Sequence, residues 1–110
     1  IAHAPSIPLD AFDLHHGTLV GMLLPEAIRF ARPAAPEKLA RLDQMLAGPA
    51  DEKIAALNRT LGLPEKLSQM GVPHAALEGV ARAASTSVFN KSATRPASAA
   101  QYLEILQRMY

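Results

Sequence analysis

From Leu19 to Ile28 the chain carries one charged side chain, Glu26, and its apolar residues fall on every side of a helical wheel. A helix that is apolar all round has no solvent face and is wrapped by other elements. A chain holding such a segment folds around it, and the rest is read as its covering. Directly before it stand His15, His16 and Gly17, two imidazoles on a turn at the mouth of the predicted central helix. Neutral imidazole beside a buried helix end is well placed to be a metal ligand.

The covering has to come from 110 residues, 49% of them hydrophobic and 19% charged, which describes a globular chain and not a disordered one. That length makes one small domain, residues 1–110, burying about two-thirds of its unfolded surface. With no Trp and only 5% aromatic residues, the core has to be Leu, Ala, Ile, Val and Met. A formal charge of +1 with scattered Lys and Arg gives no footprint for nucleic acid or an acidic substrate. The absence of cysteine excludes disulfides and thiolate metal sites and is compatible with the cytoplasm. No apolar run approaches the ~20 residues of a membrane span, and no basic start precedes a signal-like core. The expectation is a soluble cytoplasmic domain with no membrane partner. Its opening, Ile1-Ala2-His3 without Met, reads as the middle of something longer.

Taken in order, Pro5 and Pro8 stand too close together for a regular helix, so 1–16 reads as a helix end passing into a loop. The buried helix spans 17–31, with Pro25 either kinking it or opening a second segment. A helix starting near Pro36 puts Leu39, Leu42, Met45 and Leu46 on one face until Gly48-Pro49 stops it. The next, 51–61, opens on Asp51-Glu52 and stripes Ile54, Leu57 and Leu61. Pro64 begins and Gly71 closes a short helix, and another over 74–84 turns Leu77, Val80, Ala81 and Ala84 inward. Residues 85–97 lack helical period and read as a loop pinned by Val88 and Phe89. Ser98 and Gln101 form a capping box for a last helix, 98–109, carrying Tyr102, Leu103, Ile105, Leu106 and Met109. No alternating run is long enough for a strand. The fold class is all-α, a bundle of about six helices.

Of the four histidines, His74 reads as a surface residue at a helix start. Asp10 and Asp13 read as turn formers. The stretch from Ala2-His3 through Pro8-Leu9, Phe12 and His16-Gly17, followed by Leu23-Leu24-Pro25 and Phe30, resembles the metal-ligand segment of the iron-containing (group III) alcohol dehydrogenases. Leu61-Gly62-Leu63-Pro64 with Leu67 and Gly71-Val72 is similar to a connecting segment of that family. Arg95-Pro96 and Ser98, with Tyr102-Leu103, is similar to its closing loop and last helix. The likeness covers nearly the whole chain in the right order. It departs at His15, where the family has Pro, at Asp10, where it has Gly, and at Ile7, where many members have a second His. The interval between the two matched histidines is one residue short.

The resemblance implies the C-terminal helical domain of a two-domain enzyme, with His3 and His16 as metal ligands for Fe²⁺ or Zn²⁺. It implies two further ligands and NAD(P) held by an N-terminal α/β nucleotide-binding domain. No glycine-rich phosphate loop occurs in this chain, whose six glycines are isolated. The implied reaction is reversible hydride transfer between a small alcohol and its aldehyde or ketone. Phe12-Asp13-Leu14 also resembles the maleylacetate reductase branch, which would make the substrate a keto acid. This fragment alone is expected to be inactive. A different reading is a stand-alone helical interaction module that has lost catalysis, which predicts an exposed apolar face and a homo-oligomer.

Overall fold

The computed structural model describes residues 1–110, which form helices joined by short turns and loops, with no strand. Seven α-helices follow one another: α1 (His3–Leu9), α2 (His16–Ala31), α3 (Pro36–Met45), α4 (Ala50–Thr60), α5 (Leu77–Thr86), α6 (Val88–Lys91) and α7 (Ala99–Arg108). Short 3-10 turns at Asp10–Phe12, Arg32–Ala34, Leu67–Met70 and His74–Ala76 join them. None of the helices is long and apolar enough to cross a membrane.

One apolar cluster holds α1, α2, α5 and α7 together. It contains Leu9, Leu19, Leu23, Leu77, Tyr102 and Leu106, with Leu67, Val72 and Ala97 from the connections. Each fully buried leucine is worth about 2 kcal/mol relative to exposure. The inward residues read for the fifth helix (Leu77, Val80, Ala81 and Ala84) are all buried, and the Ser98–Gln101 capping box is formed.

Helix α2 is unbroken for 16 residues and passes straight through Pro25. Proline has no N–H to give the carbonyl four residues back, which here is Gly21. Asn58 of α4 supplies the missing donor, its Nδ2 donating to the Gly21 carbonyl at 2.8 Å. The helix is also less wrapped than its composition suggests: Leu24 is exposed, while Leu19, Met22, Leu23, Pro25, Ala27 and Ile28 are buried.

The first sixteen residues are more regular than their prolines imply. In α1, Pro5 occupies the first turn, where a backbone N–H has no helical partner in any event. Pro8 costs this short helix one bond.

Helices α3 and α4 form a hairpin outside the apolar cluster. Their predicted inner faces are not buried: Met45 is 82% exposed, Leu61 65% and Leu57 54%, and α3 buries no residue at all. Charge does the tying instead. Arg32, past the end of α2, donates to Asp43 at 2.7 Å and to Asp51 at 3.0 Å. Arg29 reaches the other oxygen of Asp51 at 3.2 Å. Asp43 also accepts the Ala50 N–H at 2.7 Å, closing the start of α4. The guanidinium of Arg32 and the Ala50 N–H hold the Asp43 carboxyl below its ordinary pKa, and the two carboxylates hold Arg32 above its own.

Two connections differ from expectation. Residues 64–71 make only a 3-10 turn, closed by Gly71 at φ 78°. Residues 85–97 contain α6, and Val88 (68% exposed) and Phe89 do not pin it. The pin is Asn90. Its Nδ2 donates to the carbonyls of Ser85 and Ala97, and its Oδ1 accepts from the Ala97 N–H and the Tyr102 hydroxyl, all within 2.8–2.9 Å. Burial pushes the Tyr102 pKa up to about 12. Arg95 then fastens this segment to α2, donating to the Phe30 carbonyl at 2.7 Å with its guanidinium 4.0 Å above the Phe30 ring.

Candidate metal centre

His3 is the first residue of α1 and His16 the first of α2, so both imidazoles project from helix N-termini. The chain between them runs down α1, through the Asp10–Phe12 turn, and reverses at Asp13, whose φ of 57° is left-handed. Aspartate tolerates that conformation better than most residues, so Asp13 is the turn former it was read to be. Leu14 then packs against the apolar cluster and sets the start of α2.

This reversal brings the two rings to 5.5 Å between centroids, inclined at 55°. An imidazole nitrogen sits ~2.1 Å from its metal, so two rings on one ion stand about 5 Å apart. The donor set fits half of an Fe²⁺ or Zn²⁺ site: two neutral nitrogen ligands of the kind both ions accept. No group of three or more His, Cys, Asp or Glu side chains is arranged to hold an ion. Both histidines are exposed, and the Phe89 ring lies 5.5 Å from that of His3.

His15 has a separate task. It is the N-cap of α2, its Nδ1 accepting the Thr18 N–H at 3.3 Å, with the Thr18 hydroxyl at 3.2 Å. A side-chain acceptor at this position satisfies one of the unpaired donors of the first turn. Gly17 makes room for it, because a Cβ there would meet His15 Cε1 at 3.1 Å. Asp10 is also more than a turn former: its Oδ2 lies 3.5 Å from Nδ1 of His16, not against His15. His74 is exposed and stands edge-on to Tyr110 at 4.9 Å. Neither the Asp10 nor the Phe89 position carries a signal in the sequence, since each depends on how the loop after α1 and the short α6 fold back.

Beside His3 an open groove of about 390 Å³ runs along α2, walled by Leu24, Ala27, Ile28 and Leu39, with Arg95 at its rim. It is the largest concavity in contact with either histidine.

Comparison with known proteins agrees over the same stretch. The model of the Fe-containing alcohol dehydrogenase family, C-terminal, matches residues 1–110. A 4-hydroxybutyrate dehydrogenase of Cupriavidus necator is 33% identical over 103 residues, covering 86% of this chain and 27% of that protein. The crystal structure of a 1,3-propanediol oxidoreductase superposes with a TM-score of 0.93 at 23% identity, over 99% of this chain and 32% of that one. The chain thus spans about a third or less of the length of these relatives.

Proposed function

The chain belongs to the Fe-containing alcohol dehydrogenase family, as its C-terminal domain, and from that premise we propose that it is the metal-presenting half of an NAD(P)-dependent dehydrogenase. In this reading the enzyme transfers hydride between a small alcohol or hydroxy acid and the matching carbonyl compound. His3 and His16 hold Fe²⁺ or Zn²⁺ together with ligands from a nucleotide-binding domain that lies outside these residues and also carries the cofactor. When bound, such a metal polarises the substrate oxygen and stabilises alkoxide. The chain's own residues supply the rest. His15 closes the helix that presents His16, the groove along α2 takes the apolar part of the substrate, and Phe89 shields one side of His3 from water.

The observation that carries the reading is the approach of the His3 and His16 rings, at the starts of two successive helices, to 5.5 Å between centroids. The names of the relatives, a 4-hydroxybutyrate dehydrogenase and a 1,3-propanediol oxidoreductase, support a short substrate bearing a hydroxyl group.

The test is metal titration of the 110-residue chain, alone and joined to a nucleotide-binding domain of a relative, each beside His3→Ala and His16→Ala. Alone, the chain is expected to bind Fe²⁺ or Zn²⁺ weakly, to lose that binding in either variant, and to oxidise no alcohol. Joined, it should bind tightly and turn over. Metal uptake indifferent to both substitutions would refute the assignment, and alcohol oxidation by the chain alone would refute its dependence on a second domain. The exposed Met45, Leu57 and Leu61 favour one other reading, a stand-alone oligomerisation module. It requires a stable dimer or larger species on gel filtration and no metal binding by the joined protein.

A further inference from the structure

We propose that Asp10 is a positioning residue for His16: its carboxylate holds the ring in the Nδ1–H tautomer and leaves Nε2 as the nitrogen with the free lone pair. The inference rests on the reading of His16 as a metal ligand. Its physical basis is separate from that reading.

An ionised carboxylate only accepts, and a neutral imidazole has one donor nitrogen and one acceptor nitrogen. Asp10 Oδ2 lies 3.5 Å from His16 Nδ1, a charge contact between two half-exposed side chains, and the carboxylate favours the tautomer with the proton on Nδ1. The acceptor lone pair is then on Nε2. Metal-ligating histidines in general donate their second ring N–H to a carboxylate, carbonyl or water, which fixes both tautomer and orientation.

The backbone that carries the carboxylate is fixed. Asp10 opens the Asp10–Phe12 turn, its N–H bonded back to the Ser6 and Ile7 carbonyls. Its own carbonyl accepts the Asp13 N–H at 3.0 Å. The backbone that carries it is therefore tied at both ends of the reversal that joins His3 to His16.

The neighbouring histidine supplies a contrast. His15 Nδ1 accepts the Thr18 N–H, which places its proton on Nε2. Two adjacent imidazoles are thus held in opposite tautomers, and only His16 offers Nε2 as a ligand.

The experiment is long-range ¹⁵N–¹H correlation of the histidine rings in the metal-free 110-residue chain, at about pH 8, above the ordinary histidine range. Wild type, Asp10→Ala and Asp10→Glu are compared, and each is then titrated with Co²⁺ followed by its visible absorption. In wild type His16 should be Nδ1–H and His15 Nε2–H. Asp10→Ala should move His16 towards Nε2–H and weaken Co²⁺ binding roughly 10- to 100-fold. Asp10→Glu should restore part of both, and His15 should not change in any variant. A His16 tautomer that ignores residue 10 overturns the proposal. So does weakened Co²⁺ binding without a tautomer change, which would make Asp10 a ligand instead. The expected tautomers in all three proteins, with no Co²⁺ binding by wild type, would uphold the positioning role and defeat only the metal reading it serves.

Discussion

Asn90 shows how much one side chain can organise. It meets two carbonyls, one backbone N–H and the Tyr102 hydroxyl, all buried or nearly so, and no buried side-chain polar atom in the chain lacks a partner. Removing a hub leaves every spoke unsatisfied, whereas removing a spoke leaves the hub its other bonds. Asn90→Ala should therefore cost about 3–4 kcal/mol and Tyr102→Phe only about 1 kcal/mol, read from urea midpoints at constant slope. Little of this was legible beforehand. An asparagine in a run of Ser, Thr and Asn looks like loop chemistry, and the apolar neighbours Val88 and Phe89 look like better anchors than they are. Burial of a polar residue depends on partners brought from Ser85, Ala97 and Tyr102, which no local pattern announces. His15 is the converse: odd as a ligand, it becomes intelligible as a cap once Gly17 is seen to clear space for its ring.

At the scale of elements, the sequence is most readable where a helix packs by its apolar face and least where polar groups make the contact. Helices α5 and α7 pack on each other and on the body, and their apolar faces agree with the periodicity. Helices α3 and α4 carry equally good periodicity, but Met45, Leu57 and Leu61 on those faces stay exposed, and α4 is tied to α2 by polar side chains such as Asn58 and Asp51. Helix α2 sits between these cases, and its continuity depends on a bond from outside it. If Asn58 replaces the donor that Pro25 lacks, Asn58→Leu should cost about 1–3 kcal/mol by orphaning the Gly21 carbonyl. In a Pro25→Ala background the backbone N–H returns, and the same substitution should cost clearly less. A double-mutant cycle on unfolding free energies measures the difference, and additive effects would show that the two residues are independent.

Across the whole molecule, apolar contacts hold α1, α2, α5 and α7, while charged and polar groups hold the α3–α4 hairpin. The two respond differently to pH. A carboxyl whose folded pKa is depressed adds stability above its unfolded value, and that stability is lost as pH falls through the folded value. For Asp43 the window opens near pH 4, the ordinary aspartate range, and extends below it. Hydrogen exchange should accordingly show α3 and α4 losing protection as pH falls from about 5 to 3 while α5 and α7 keep theirs. Asp43→Asn should lower hairpin protection at neutral pH and flatten its dependence on acid. Equal loss in all four helices would contradict the division. The overall class and the helix order were legible because they follow from composition and period; this division was not, since Arg32, Asp43 and Asp51 are far apart in sequence and ordinary as residues. It also bears on the turn at Ala47 and Gly48, whose left-handed φ of 53° at Ala47 marks the tip of the hairpin. Residues before that tip supply Leu9, Leu19 and Leu23 to the apolar cluster, and residues after it supply Leu77, Tyr102 and Leu106. The two halves grip each other through side chains remote from the peptide bonds that join them. The tip is thus the natural seam of the molecule, the place where the chain could be lengthened, circularly permuted or divided into complementing pieces without disturbing the surface that carries His3 and His16.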